Sequence, residues 1–331
     1  MYNVALFGAG RIGQVIHSVN IFNHPKTHLY SIVDPFMENA RKVADKYDCK
    51  IQTVEEAMAD PDIHAVLIAS ATDTHADLIE LAAKAGKAIF CEKPVHLNME
   101  RVKQCLATVE KSNVPLFIGF NRRYDPQFKQ VKDRLNAGEI GKPESLLIIS
   151  RDPAPPPVEY IKVSGGLFRD MTIHDFDMAR FIMGEEPSSI YACGSTIVDE
   201  NIGKAGDIDT AFVVMRFPSG AMATISNSRR SGYGYDQRIE LHGEKGVLTA
   251  KNILENTVEL WSDTGCCYAK PEFFFLQRYQ AAYQAEWEHF VDVLEGKSTP
   301  AVTGYDGQQA LYLADMAIES LKSGKEIQLS K

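Results

Sequence analysis

The sequence predicts two dissimilar domains: an α/β domain with a mostly parallel sheet over residues 1–120, then an α+β domain with a large, mainly antiparallel sheet over 121–303. Three observations carry this. The first 120 residues alternate short apolar runs with amphipathic stretches, a β-α-β rhythm that implies a parallel sheet covered on both faces. From about residue 143 the rhythm becomes a succession of strand-like runs, which implies an antiparallel sheet. A glycine-rich hexapeptide, "GAGRIG", sits where the first apolar run meets the first helical one.

In order, the first domain reads as strands at 2–7, 29–33, 64–70, 87–92 and 115–120, with helices near 12–22, 36–47, 74–85 and 99–112. The second reads as strands "ESLLIIS", "SSIYACGST", "DTAFVVMRF", "AMATISNSRR", "DQRIELHG", "GVLTA" and "TVELWS". A helix near 168–183 interrupts them and another near 275–295 follows. The prolines of "RDPAPPPVEY" forbid a regular ladder or helix, so 151–160 is expected as a stiff loop near the domain junction. A last amphipathic helix, about 304–323, is expected to return to the first domain.

Composition narrows the function classes. With 45% hydrophobic and 24% charged residues, the chain is a globular protein rather than a disordered or fibrous one. A net charge of −9, without a basic stripe, argues against nucleic acid. No apolar run approaches the roughly 18 residues of a membrane span. "MYNVALFGAG" opens without a basic or small-residue leader, so no signal peptide and a cytoplasmic location are expected. The six cysteines form no CxxC pair and are expected as reduced core or strand residues.

Gly8, Gly10 and Gly13 have the G-x-G-x-x-G spacing of a Rossmann dinucleotide fold, where glycines permit a tight turn and close approach to a pyrophosphate. Arg11 and Ile12 lie inside that turn. Asp34 closes the second strand, 21 residues after Gly13, where a carboxylate takes ribose hydroxyls and repels a 2′-phosphate; NAD is therefore the expected cofactor. The alternative makes Asp34 a helix N-cap. Ser70, Thr72 and His75 follow the third strand at the sheet's carboxyl edge and are candidate cofactor contacts, Thr74 being a candidate N-cap. At the same edge "CEKPV" presents Glu92 and Lys93. Pro94 stops the strand and aims the lysine toward the cleft. Such a lysine either bonds a reacting hydroxyl or is a surface residue paired with Glu92.

"GGLFRDMTIHDFDMARF" (165–181) gathers Asp170, His174, Asp175 and Asp177. As a metal site it would use Asp170, His174 and Asp177, but a nicotinamide accepts hydride without a Lewis acid and no second ligand cluster is evident, so no metal is expected. Asp175 and Asp177 suit the first turn of a helix, and Asp177 also suits bracing it.

"GAGRIG" with Asp34, "CEKP", "GFNRRYDP" and "GGLFRDMTIHDFD", in this order, resemble the glucose-fructose oxidoreductase/inositol dehydrogenase (Gfo/Idh/MocA) family, and within it the bacterial inositol 2-dehydrogenase branch. The likeness extends through "SRDPAPPPVEYIKVSGG" and "NSRRSGYGYDQR", hence through both domains. It implies NAD-linked oxidation of the axial hydroxyl of myo-inositol to 2-keto-myo-inositol (scyllo-inosose). It also implies a catalytic set of Lys93, Asp170 and His174, and an open-faced second sheet that builds a homotetramer. The residue chemistry agrees: histidine is a suitable base near neutrality, and an aspartate four residues earlier on a helix can orient it. Lys93 would stabilise alkoxide charge.

Groups able to pair the hydroxyls of a polyol are Asn121, Arg122, Arg151, Asp152, Thr172, Tyr233, Tyr235 and Tyr283, each of which could instead be structural; Arg122 could also reach the cofactor. The family pattern places a histidine three residues after the last glycine, whereas His17 stands four after Gly13. The extra residue turns the rest of the helix by about 100° unless a π-bulge or a shifted helix end absorbs it. Rival readings are a dehydrogenase of scyllo-inositol, D-glucose or another sugar, an NAD-dependent glycosidase on the same fold, and a non-catalytic NAD sensor. Net NADH from a free polyol separates the first from the second, and the proton-transfer trio speaks against the third.

Overall fold

A computed structural model describes residues 1–330. Its first sheet contains β1 (Tyr2–Phe7), β2 (Thr27–Val33), β3 (Lys50–Ile51), β4 (Ala65–Ile68), β5 (Ala88–Glu92) and β6 (Leu116–Gly119). All pairings are parallel, in the order 3-2-1-4-5-6. This is the doubly wound dinucleotide-binding order, in which the order of the strands reverses beside β1 while their direction stays the same. Val66, Leu67 and Ile68 of β4 are fully buried, as befits a central strand with helices on both faces. The helices are α1 (Ser18–Asn23), α2 (Met37–Tyr47), α3 (Val54–Ala59), α4 (Thr72–Lys84) and α5 (Met99–Ser112). Ahead of α1, Gly13–His17 forms a π-helical segment, so the extra residue before His17 is taken up by a widened turn.

The chain continues through α6 (Pro126–Asn136), β7 (Pro143–Arg151), α7 (Val158–Ser164), a second π segment (Phe168–Thr172) and α8 (Ile173–Met183). Then come β8 (Ser189–Ser195), α9 (Glu200–Lys204), β9 (Thr210–Arg216), β10 (Met222–Ser228), β11 (Asp236–Gly243), β12 (Gly246–Ala250), β13 (Glu259–Ser262), β14 (Gly265–Tyr268) and α10 (Phe275–Arg278). The last elements are α11 (Gln280–Leu294), α12 (Gly304–Ser323) and β15 (Ile327–Gln328). The second sheet has the order 12-11-7-10-9-8-15, antiparallel throughout except that β7 and β10 run parallel. Its strands alternate buried and exposed residues, as in β9, so one face is packed and the other open.

Several expectations need correction. "TVELWS" does not join the large sheet; β13 pairs only with β14, in a hairpin exposed on both faces. Helix α7 begins directly after Pro157, inside the stretch expected as loop, because proline is tolerated ahead of a first helical turn. The domains are discontinuous: one compact unit is Met1–Asn121 with Ala282–Leu311, the other Arg122–Ala281 with Tyr312–Lys331. Most of α11 thus belongs to the first unit, where Phe290 meets Phe90 and Phe117 edge-on at 5.6 and 5.9 Å and Trp287 packs at 6.0 Å from Phe90. Only the start of α12 belongs there; beyond Leu311 its Asp315 pairs with Arg169 at 2.7 Å and its Ser320 hydroxyl accepts from the Ala192 N–H at 2.9 Å. No helix among the described residues is long and apolar enough to cross a membrane.

Candidate active site

In the first unit the glycine turn has the shape that a dinucleotide needs. Gly8 has φ +103°, and a Cβ there would lie 2.5 Å from the Ala69 carbonyl oxygen. A Cβ on Gly13 would lie 2.1 Å from the Gly8 carbonyl oxygen, so that residue permits the helix to sit tightly on the turn. Gly10 has no atom within 4 Å of such a Cβ, leaving its backbone open to a close-approaching phosphate. The helix that includes the π segment starts at Arg11 and Ile12, offering its N-terminus at the same place. Asp34 Oδ2 accepts the Ala9 N–H at 2.6 Å and Oδ1 accepts that of Phe36 at 2.8 Å. Its carboxylate therefore stands beside the turn; the N-cap of α2 is Phe36, not Asp34.

The loop after β4 departs from expectation. Helix α4 starts at Thr72 with Ala71 as N-cap, and Thr74 donates to the Ala71 carbonyl instead of capping. Ser70 and Thr74 share a hydroxyl hydrogen bond of 2.7 Å. His75, expected as a cofactor contact, is 2% exposed. Its Nδ1 lies 2.8 Å from the Pro94 carbonyl oxygen and its Nε2 3.1 Å from that of Ser70. Burial lowers its pKa, with both carbonyls pulling the other way. The ring thus braces the Ser70 loop against the segment that carries Lys93, whose peptide bond to Pro94 is cis.

Glu92 is likewise turned inward, 7% exposed, with Oε1 at 2.7 Å from Nε2 of the buried His17. The alternation of β5 explains this: Glu92 faces the π segment, and Lys93 beyond it is half-buried. Tyr283 packs edge-on to the His17 ring at 6.0 Å. Nothing in the spacing marked His17 as a site; the π turn brings it to Glu92. Glu286 on α11, 1% exposed, has neither carboxyl oxygen hydrogen-bonded among the described residues, and burial, then the charge of Glu92, pushes its pKa well up. Asn121 is 2% exposed with its Nδ2 unpaired among the described residues.

In the second unit, Gly165 and Gly166 (φ +86° and +83°) turn the chain into the helix that holds Asp170 and His174. A side chain on Gly166 would strike Asp207, whose two oxygens each accept the Leu167 N–H at 3.0 Å. Asp170 lies in the π segment and His174 in α8, so the pair straddles a change of pitch where a regular α-helical turn was expected. Asp170 Oδ1 accepts from the Tyr160 hydroxyl at 2.9 Å and Oδ2 from Arg229 Nη2 at 3.0 Å. Arg229 is 3% exposed and reaches Asp152 through Nη1 at 3.3 Å. Burial works against its charge, but Asp170 and Asp152 more than offset that and raise its pKa. Burial pushes the Asp152 carboxyl up.

Three expected ligand contacts serve the interior. Arg122 (5% exposed) donates to Asp175 Oδ1 at 2.6 Å and reaches the Tyr235 hydroxyl at 3.5 Å. Thr172, fully buried, donates to Asn227 Oδ1 at 2.6 Å, and Asn227 Nδ2 donates to Asp175 Oδ2 at 2.8 Å. Tyr235 is 6% exposed, edge-on to Tyr279 at 5.9 Å. Asp175 is therefore no dipole-facing surface acid but the fully buried centre of a network, and desolvation is what such a network must overcome. Asp177 braces α8: Arg123 donates to it from Nε at 2.8 Å and from Nη2 at 2.5 Å. These arginines take both acids out of any metal set. Tyr233 stays 44% exposed, donating to Asp236 at 2.6 Å and accepting from Arg151 at 3.1 Å.

Comparison with known proteins bears on both units. Residues 2–120 match a profile described as an oxidoreductase family with an NAD-binding Rossmann fold, and 128–249 match the GFO/IDH/MocA C-terminal domain. The chain is 48% identical to an inositol 2-dehydrogenase of Rhizobium meliloti over 98% of each chain. It is 47% identical to a myo-inositol 2-dehydrogenase of Thermotoga maritima, over 99% of this chain and 98% of the other. Among solved structures, a myo-inositol dehydrogenase from Corynebacterium glutamicum superposes with a TM-score of 0.96 at 41% identity, covering 100% of this chain and 99% of that one. A scyllo-inositol dehydrogenase from Lactobacillus casei, with bound NAD(H) and scyllo-inositol, gives 0.92 at 26% identity over 99% of each. Identity of nearly one half along the whole length, on a sheet of doubly wound order, leads to one conclusion: the chain belongs to the GFO/IDH/MocA family of oxidoreductases with an NAD-binding Rossmann domain.

Proposed function

We propose that the protein oxidises the axial hydroxyl of myo-inositol to 2-keto-myo-inositol (scyllo-inosose). The observation that carries the substrate is the 48% identity, over 98% of the chain, with a relative named inositol 2-dehydrogenase. NAD supplies the acceptor for the hydride leaving the carbinol carbon. His174 takes the hydroxyl proton as general base, Asp170 orients the imidazole, and Lys93 holds the same oxygen and stabilises developing alkoxide charge. Support for these roles is the family motif together with partial exposure of all three side chains. Asp152 and Asn121 are the leading polyol contacts, because Asn121 keeps a buried unpaired donor and a site with such groups rejects analogues that cannot fill them. Arg122, Thr172 and Tyr235 belong instead to the buried network around Asp175 in the second unit.

The open face of the second sheet supports assembly into a homotetramer. Leu147, Thr224, Val214 and Tyr191 lie in one row across β7, β10, β9 and β8, and Phe212 beside them is 52% exposed. An uncovered apolar face of this kind marks an interface. Light scattering should report four chains, and Phe212→Glu should reduce that number. Six free cysteines suit the reducing cytoplasm.

The deciding assay is NADH formation with myo-inositol, scyllo-inositol, chiro-inositols and aldoses, with NADP in parallel. Myo-inositol with NAD is expected to give the highest kcat/KM. A tenfold preference for scyllo-inositol or an aldose would replace the substrate, and hydrolysis of a chromogenic glycoside without net NADH would replace the reaction.

A further inference from the structure

We infer that Tyr160 and Arg229 are positioning residues for Asp170, fixing both its oxygens and holding it ionised; the inference rests on the reading of Asp170 as the partner of the base His174. The two donors come from separate parts of the second unit, Tyr160 from α7 and Arg229 from the turn after β10, and each takes a different carboxylate oxygen, at 2.9 and 3.0 Å. A carboxylate gripped at both oxygens cannot rotate about its Cβ–Cγ bond without breaking one contact. Its direction toward its own helix is thereby set from outside that helix. This matters because Asp170 lies in a π segment, where the usual one-turn spacing does not by itself align it with His174.

The electrostatics point the same way. Arg229 is nearly inaccessible, 3% exposed, and its charge is balanced by Asp170 and Asp152 together. Besides its proposed partner His174, the charged and titratable groups that face Asp170 include Tyr160, Arg229, Asp152 and Asp207. Arg229 is the cation among them, and a cation in contact with a carboxylate favours its ionised form. Burial and the neighbouring Asp170 charge push the Tyr160 hydroxyl pKa up, so it remains a donor throughout the working range.

Outer hydrogen-bond partners of metal-ligating side chains typically carry about a 10- to 100-fold effect, and the same order is expected of partners that orient a catalytic carboxylate. The test compares Tyr160→Phe, Arg229→Met, Arg229→Lys and Asp170→Asn in the full-length enzyme, measuring pH profiles of kcat/KM for myo-inositol and, separately, NAD affinity by calorimetry. Tyr160→Phe is expected to lower kcat/KM about 10- to 100-fold with NAD affinity unchanged. Arg229→Met is expected to move the acid limb of the profile to higher pH, because Asp170 then protonates sooner, and Arg229→Lys to restore the limb. Tyr160 is 48% exposed, so its variant tests the inference even if Arg229→Met does not fold. Wild-type kcat/KM in Tyr160→Phe, and a wild-type limb in Arg229→Met where it folds, with activity lost in Asp170→Asn, would overturn the inference while leaving the role of Asp170 standing. Full activity in Asp170→Asn would overturn that role, and the inference with it.

Discussion

Replacing Glu286 with glutamine is expected to stabilise the first unit progressively as pH rises. The side chain is 1% exposed, both its oxygens lack hydrogen bonds among the described residues, and burial reinforced by Glu92 pushes its pKa well above the ordinary 4.5. A carboxyl whose pKa is raised by folding binds its proton more tightly in the native state. Its contribution is therefore fully present below the unfolded pKa and is lost as pH climbs toward and through the folded one. One proton is involved, so the slope of stability with pH has a ceiling of about 1.4 kcal/mol per unit. Glu286→Gln keeps the shape but has no proton to lose, and this slope should vanish. Urea unfolding followed by tryptophan fluorescence reads the right unit, because Trp287 is 2% exposed within it while Trp261, the other tryptophan, is 75% exposed in the hairpin. The two proteins should have matching midpoints near about pH 4 and diverge by about pH 8, the variant being the more stable. Parallel profiles would refute the reasoning, since Glu286 would then ionise in the folded protein at no cost.

Further expectations concern the turn, the buried network and the lysine. Gly8→Ala should destabilise the first unit by at least about 1–3 kcal/mol, because its φ is positive and its Cβ would strike the Ala69 carbonyl, whereas Gly10→Ala should leave melting unchanged and weaken NAD binding. Calorimetric melts and NAD titrations separate the two. Asp175→Ala should cost about 3–5 kcal/mol by leaving Arg122 buried without its carboxylate, and the double replacement Arg122→Met with Asp175→Leu should recover much of that in urea melts. Lys93→Ala should reduce turnover by about 100-fold or more while calorimetry finds NAD affinity little changed; full activity would remove the lysine from the chemistry.

The legible part of the fold was the part written in short periods. The spacing of Val4, Leu6, Val66 and Ile68 against amphipathic helices is a local pattern, and so is the glycine turn with Asp34 at the next strand's end. Helices α3 and α6, which the strand–helix rhythm did not predict, carry signals of the same kind: Thr53 and Glu56 form a capping box before α3, and Asp125 with Pro126 caps α6. Of the candidate site, the motif residues Lys93, Asp170 and His174 could be picked out, but not their neighbours. Arg229 and Tyr160 lie 59 and 10 residues from Asp170, with nothing in their spacing to tie them to it. His75 and Glu92 stood at the expected sheet edge, yet each turned to an interior partner distant in the chain, His75 to the Pro94 carbonyl and Glu92 to His17, and such pairings are not written in the local sequence.

The sequence by itself determined the strand–helix rhythm, the dinucleotide turn with its acidic partner, the later succession of strands and the family, because each rests on residues near one another in the chain. Tertiary structure decided what each charged group does. Asp175 became a buried network centre because Arg122, 53 residues away, and Asn227, 52 away, meet it in the second unit. It also decided that α11 joins the first unit, through the aromatic packing of Phe290, and that π turns place His17 and Asp170. The physical reason is the same throughout: a polar group's role is set by which partner shares its desolvated surroundings, and that depends on long-range packing, which residue order alone does not show.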